Sequence, residues 1–186
     1  IEGDYLEFRL RRYLTFAEFK SELAPHFGLG LEGYATWTSP IRKYSDMVNH
    51  RLIKAVLTQQ ACEKPQDEVL ARLQEARRQN RLVERDIADW LYCRYLADKV
   101  AENAEFDAEV QDVMRSGLRV QLLENGASMF VPASTLHPNK DEMQVNADEL
   151  AMYIQGERRY KIGDLVKVKL TEVREETHSI IGQLII

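Results

Sequence analysis

The spacing of apolar residues changes from three-to-four to two shortly after residue 101, which divides the chain into a helical half and a β half. Residues 4–19 mix arginines with aromatics and are compatible with a strand followed by a short helix. Residues 25–40, PHFGLGLEGYATWTSP, are rich in glycine and aromatics and bounded by prolines, which favours loops and a short extended piece. Ser39-Pro40 then reads as a helix start, a hydroxyl at the cap and proline at the first helical position. Met47, Val48, Arg51, Leu52, Ala55 and Val56 carry that helix to about Thr58. After a polar break ending near Pro65, Val69, Leu73, Ala76, Asn80, Val83, Ile87, Trp90 and Arg94 predict a longer helix over about 67–99 with one packed face. Asn80 and Arg94 interrupt its seam, which favours a helix laid across a larger domain over a free-standing coiled coil.

From Phe106 the alternation is that of strands: Phe106, Ala108 and Val110, then Leu118, Val120 and Leu122, then Met129 and Val131, and later Val166, Val168 and Leu170. Asn125-Gly126 lies between two of these runs and predicts a tight primed turn, and Gln155-Gly156 is a second turn candidate. Five main strands, a helical turn after Pro132 and an insertion over about 138–161 predict a small antiparallel barrel of the OB type. The expectation is therefore an α+β chain with a helical part over 1–103 and a barrel over 104–186.

With 186 residues, 45% of them hydrophobic, the chain is long enough for one good core or two small ones. No apolar stretch approaches the roughly 20 residues needed to cross a bilayer, so a cytoplasmic protein with no membrane partner is expected. Cys62 and Cys93 stand apart without metal-ligand spacing. Starting at Ile1-Glu2-Gly3 without a methionine, the chain reads as a piece of something longer. The net charge of −5 argues against a generic polyanion binder. Residues 1–103 balance 16 basic against 16 acidic side chains, whereas residues 104–186 carry 9 against 14. Any nucleic-acid contact must be local.

The most informative local chemistry is Thr38-Ser39-Pro40-Ile41-Arg42-Lys43-Tyr44-Ser45-Asp46. On the predicted helix it places two cations in a first turn that already carries about half a positive charge, which costs each roughly 0.3–1 kcal/mol. A phosphate there would reverse the sign, accepting from the amides and from the Thr38 and Ser39 hydroxyls while Arg42 closes on it. The alternative is an internal pair between Arg42 and Asp46, four apart on one helical face; both readings stand at this point. Gly28, Gly30 and Gly33 fit a dinucleotide-loop pattern only formally, since no buried strand precedes them. The four histidines are scattered, and the Arg77, Arg81, Arg85 row reads first as a solvated helix face.

HFGLGLEGYATWTSPIRKYSDMVNHRLI closely resembles the signature of the ribonuclease II family of 3′-to-5′ exoribonucleases, nearer its ribonuclease II branch than its ribonuclease R branch. The resemblance continues through RLVERDIADWLY and through GLRVQLLENGASMFVPASTLH. It implies the C-terminal part of a catalytic ribonuclease domain followed by an RNA-binding OB barrel. The implied activity is magnesium-dependent hydrolysis of single-stranded RNA to nucleoside 5′-monophosphates, in mRNA degradation, by an intact enzyme expected to be monomeric.

Under this resemblance Arg42 matches the family's active-site arginine, and Glu84 matches a carboxylate placed near the active site. At 100° per residue Glu84 falls about 20° from Leu91 and about 40° from Asn80, so it is expected to border the packed helix face, where a carboxylate needs a partner. The family's metal-binding aspartates have no counterpart here. Glu84, Asp86 and Asp89 are the densest acidic group, and Glu84 and Asp86 point about 160° apart, so no metal ligand is assigned and the chain alone is expected to be inactive. Thr38, Ser39 and Lys43 are the expected phosphate contacts. In the barrel the family's usual aromatic and histidine positions are taken by Arg119 and Pro132, which leaves Arg119, Phe130, Lys167 and Lys169 as RNA-binding candidates. Two rivals remain, a non-catalytic single-stranded RNA-binding module and a structural interaction protein that pairs through its long helix.

Overall fold

The computed structural model describes Leu10, Tyr13, Leu14 and residues 16–185; the expectation for residues 4–19 falls mostly outside them. By internal contacts two compact units are distinguished, one over Leu14–Val83 and one taking the chain from Glu84 onward.

In the first unit, α1 spans Tyr44–Leu57, and α2, Asp67–Leu96, begins there and supplies its last turns to the second unit. Helix α1 starts later than Ser39-Pro40 predicted. The Ser39 carbonyl accepts from the amides of both Arg42 (3.3 Å) and Lys43 (2.9 Å), closing a turn over residues 40–42, and Lys43 is extended at φ −119°. Arg42 and Lys43 therefore precede the helix instead of occupying its first turn. The other end closes with Gln59 in the left-handed region (φ 53°) and the Gln60 amide bonded to the Ala55 carbonyl at 2.9 Å. Helix α2 forms as predicted, with Asp67 and Glu68 in its positive first turn. Its predicted packed face is not buried within this chain: Val83 and Ile87 are more than half exposed, and only Cys93 and Leu96 are fully covered. In the first unit Arg77 and Arg81 lie over the rings of Phe19 and Phe16, at 5.7 and 5.3 Å.

The second unit is built on a closed barrel of β1 (Glu105–Met114), β2 (Gly117–Leu122), β3 (Ser128–Pro132), β7 (Leu165–Arg174) and β8 (Ser179–Leu184), in the order β1-β2-β3-β8-β7. It is not wholly antiparallel, because β3 meets β8 in parallel at Phe130 and Ile181. Closure demands this: directions cannot alternate around a ring with an odd number of strands, so one neighbouring pair must run the same way. Phe106, Ala108, Val110, Leu118, Val120, Leu122, Met129, Val131, Val168 and Leu170 point inward as the alternation predicted. Covering one such Leu or Val contributes about 1.5–3 kcal/mol before entropy is charged against it. Strands β1 and β7 each carry an irregularity, after Val110 and after Leu170, that lets the sheet curl shut. Gly182, opposite Leu170, has no alternative at that bend: a Cβ would overlap the Met129 sulfur and approach the Lys169 carbonyl to 2.7 Å.

Asn125-Gly126 does join β2 to β3, through a loop of residues 123–127 closed by Gly126 N–H to Leu122 C=O and Leu122 N–H to Ala127 C=O, not through a two-residue primed turn. The primed turn is at Gln155-Gly156, where both residues have positive φ (55° and 80°) and Ile154 pairs with Glu157. It belongs to a separate three-stranded sheet, β4 (Met143–Asn146), β5 (Ala151–Ile154) and β6 (Glu157–Lys161), which the sequence presented only as an insertion. Met152 and Ile154 tie this sheet into the barrel core. Helix α3, Ala133–Leu136, supplies the predicted turn after Pro132.

Candidate nucleic-acid interface

Two groups of predicted site residues emerge, one in each unit. In the first unit Asp46 is fully buried, and it does not pair with Arg42. Its carboxylate accepts from the Thr36 hydroxyl at 2.6 Å, the Ser39 backbone amide at 2.9 Å and the Ser45 hydroxyl at 3.3 Å. The Thr36 bond above all, aided by Ser39, Ser45 and the nearby charge of Lys43, holds the carboxyl below its ordinary value of 3.8 against the opposing effect of burial. Asn49 donates to the Thr36 carbonyl at 2.7 Å, and His50 Nε2 meets the Trp37 carbonyl at 2.7 Å and so carries the proton there. Asp46, Asn49 and His50 are spaced three and one apart, which puts them on one face of α1. Together they strap residues 36–39 to the helix.

Thr38, Arg42 and Lys43 are exposed beyond this strap and Ser39 is half-buried. Among the described residues Arg42 has no hydrogen-bond or ion-pair partner, so its guanidinium donors are available to an anion. The internal-pair alternative left open by the spacing is thereby removed. Asp46, Asn49 and His50 were not singled out from sequence as site-forming; the signal present was the polar i, i+3, i+4 face in the first turns of an otherwise apolar helix.

Glu84 is exposed and lies beside exposed Asn80 and Leu91, so the expected packed border is absent in this chain. Asp86 is engaged by His178 Nδ1 at 2.7 Å, from the β7–β8 connection. Among the described residues no group of three or more His, Cys, Asp or Glu side chains is arranged to hold a metal ion. The acidic group on α2 does not fit magnesium, since Glu84 and Asp86 diverge around the helix and Asp86 is already bonded.

In the barrel Arg119 and Phe130 are cross-strand partners on β2 and β3, Arg119 exposed and Phe130 half-buried against the Ile181 position of β8. A guanidinium plane and a ring side by side on an outward face form a surface on which a base can stack. Pro132 closes the same row opposite Gly117. Lys167 and Lys169 share one face of β7, but each lies directly across from a carboxylate of β1, Asp107 and Glu105 respectively. Each lysine thus presents its charge beside a carboxylate of the neighbouring strand. Among the described residues no helix is long and apolar enough to cross a membrane.

Comparison with known proteins adds a third line of observation. The RNB domain model matches residues 2–59, and the S1 RNA binding domain model matches residues 99–184. Exoribonuclease 2 of Haemophilus influenzae is 84% identical over 185 residues, a match covering 100% of this chain and 28% of that protein. Exoribonuclease 2 of Mannheimia succiniciproducens is 82% identical with the same coverage. The chain thus spans a little over a quarter of the length of these relatives. In three dimensions it is similar to Mycoplasma genitalium RNase R in complex with ribose methylated single-stranded RNA, with a TM-score of 0.76 at 23% identity, over 95% of this chain and 28% of that one. That likeness confirms the fold, a mixed α+β chain ending in a closed five-stranded barrel.

Proposed function

Because this chain belongs to the exoribonuclease 2 family along its whole length, we propose that it is the RNA-gripping part of a 3′-to-5′ exoribonuclease. The intact enzyme would hydrolyse single-stranded RNA to nucleoside 5′-monophosphates in the cytoplasm, during mRNA turnover, as a monomer. The observation that carries this reading is the exposed, unpaired Arg42 on a turn whose nearest carboxylate, Asp46, is committed elsewhere.

In this reading Arg42 holds the phosphate under attack and stabilises the charge that develops on its non-bridging oxygens. Thr38, Ser39 and Lys43 contact the same or the adjoining phosphate. Arg119 and Phe130 stack the bases of the incoming strand, and Lys167 and Lys169 contribute weakly to backbone contact. Glu84 belongs near the reacting end of the RNA. The magnesium that the family implies would polarise the phosphate and activate water, held by carboxylates other than those of this chain. The 186 residues alone are therefore expected to release no monophosphates in magnesium.

The test is Arg42→Ala in the full-length enzyme. The chemical step is expected to fall about 10²–10³-fold, as for loss of a charge-stabilising donor, with a much smaller change in RNA affinity. Equal losses in both would demote Arg42 to a binding residue. That outcome would favour the second reading, a non-catalytic single-stranded RNA-binding module.

A further inference from the structure

The strap on α1 has a shape that a simple helix cap does not require. Asp46 takes the Ser39 amide, and the Ser39 carbonyl takes the amides of Arg42 and Lys43. Both backbone groups of Ser39 are thereby fixed, one by a side chain of the helix and the other by the turn that carries the cations. Asn49 and His50 fix two earlier carbonyls, those of Thr36 and Trp37. The segment from Thr36 to Lys43 is thus tied at Thr36, Trp37, Ser39, Arg42 and Lys43 through backbone groups and the Thr36 hydroxyl, while the Arg42 side chain is left outside the network.

The chemistry of Asp46 explains that arrangement. Asp46 is the acidic residue nearest to Arg42 along the chain, and an ion pair between them would quench the guanidinium. Three donors from Thr36, Ser39 and Ser45 satisfy this carboxylate in a fully buried position and turn it away.

We infer that Asp46 is a positioning residue for Arg42: it fixes the Thr36–Lys43 segment against α1 and keeps the guanidinium free to meet an RNA phosphate. Asn49 and His50 serve the same end through the backbone. None of the three touches RNA. The inference rests on the reading of Arg42 as a phosphate-binding residue of an exoribonuclease.

The experiment is a double-mutant cycle in the full-length enzyme on single-stranded RNA, using Asp46→Asn, Arg42→Ala and the combination. Asp46→Asn preserves shape and removes the charge that draws three donors together. Its turnover is expected to fall about 100-fold, the scale associated with a misplacement of about 1 Å, while RNA affinity falls far less. Added to Arg42→Ala, it should cost less than about twofold more, because it acts through a side chain already removed. Losses that multiply would overturn the inference, since a general structural defect costs the same with or without Arg42. If Asp46→Asn does not fold, Thr36→Val and Asn49→Ala, each removing one bond of the strap, enter the same cycle with smaller losses and the same rule.

Failure of the exoribonuclease reading itself is seen separately, as a wild type that releases no monophosphates. The cycle is then read from the salt dependence of single-stranded RNA binding, where each lost phosphate contact lowers the slope by about 0.7. Asp46→Asn and Arg42→Ala should each remove one contact and the pair together still only one. A slope unchanged by Asp46→Asn, or lowered twice by the combination, overturns the inference.

Discussion

The barrel and the Leu14–Val83 unit are held together by opposite means. The barrel is closed on itself, and its inward residues from Phe106 to Leu170 lose nearly all contact with water. In the Leu14–Val83 unit the buried residues of α1 are one alanine, Ala55, and one charged residue, Asp46. Phe16, Leu23, Phe27, Ile41, Val56 and Leu57 are exposed there. Hydrophobic burial specifies the first region, and polar bonds to backbone specify the second. Burial makes a fold robust and indifferent to pH, whereas directed bonds hold a loop in one shape while leaving its outward side chains free.

The sharpest way to break this contrast is to open the barrel core. Leu118→Ala, at a position with no exposed surface, is expected to destabilise the barrel by about 2–5 kcal/mol, through lost transfer energy and the cavity left behind. Amide hydrogen exchange should accelerate throughout β1, β2 and β3 while the amides of α1 keep their protection. Equal acceleration in both regions would mean that the polar unit borrows its stability from the barrel.

Base stacking comes next in size. Phe130→Ala is expected to weaken single-stranded RNA binding by about 1–3 kcal/mol, the range for loss of one stacked base, and Arg119→Ala by less. Lys167→Ala should do least, because a single exposed lysine opposite Asp107 on the strand pair contributes little to backbone contact. A fluorescence-anisotropy titration at fixed salt ranks the three; Lys167 ahead of Phe130 would contradict the stacking surface.

Acid separates the regions in the other direction. The Asp46 carboxyl titrates below 3.8 when folded, so the unfolded chain takes up its proton first. Its contribution to stability is therefore complete above 3.8 and is lost as pH falls through the lower, folded value. On acidification the Ser39 amide and the Thr36 hydroxyl should lose their protection before the barrel amides do, as followed by proton NMR. In Asp46→Asn the same signals should show no such step. Glu75, held at about 2 chiefly by its hydrogen bond from Arg78, lies on an open surface and is no part of this network.

What the sequence made legible follows the same division. Period-two alternation identified the inward residues of the barrel because burial leaves its mark on every second position. The parallel closure of β3 on β8 was hidden, since it depends on strand order, which alternation does not encode. The sheet of β4 to β6 was hidden because its strands are only four or five residues long. In the polar unit, Ser39-Pro40 carried a helix-start signal that the long-range bond from Asp46 to the Ser39 amide overrode. Arg42 was legible as an anion-binding candidate, but its freedom was not, since that depends on three donors that engage Asp46 from as far away as Thr36.

The smallest expected effect tests whether the polar unit is complete. Val56 is 76% exposed, so Val56→Glu in the 186-residue chain should change stability by no more than about 0.5 kcal/mol, as surface substitutions do. In the full-length enzyme the same substitution has a different expectation. If further protein covers this end of α1, a glutamate there must be desolvated without a partner, and the cost should rise to about 1–3 kcal/mol. Denaturant melts of both proteins, each with and without the substitution, give the difference directly. An equal, small effect in both would mean that the exposed apolar residues are true surface and that the strap alone maintains the unit. A large effect confined to the longer protein would mean that the barrel brings its whole core with it, whereas the unit carrying Arg42 receives part of its core from elsewhere. In that case the isolated chain should also associate with itself through the uncovered face, with a sedimentation coefficient that rises with concentration and is lowered by Val56→Glu.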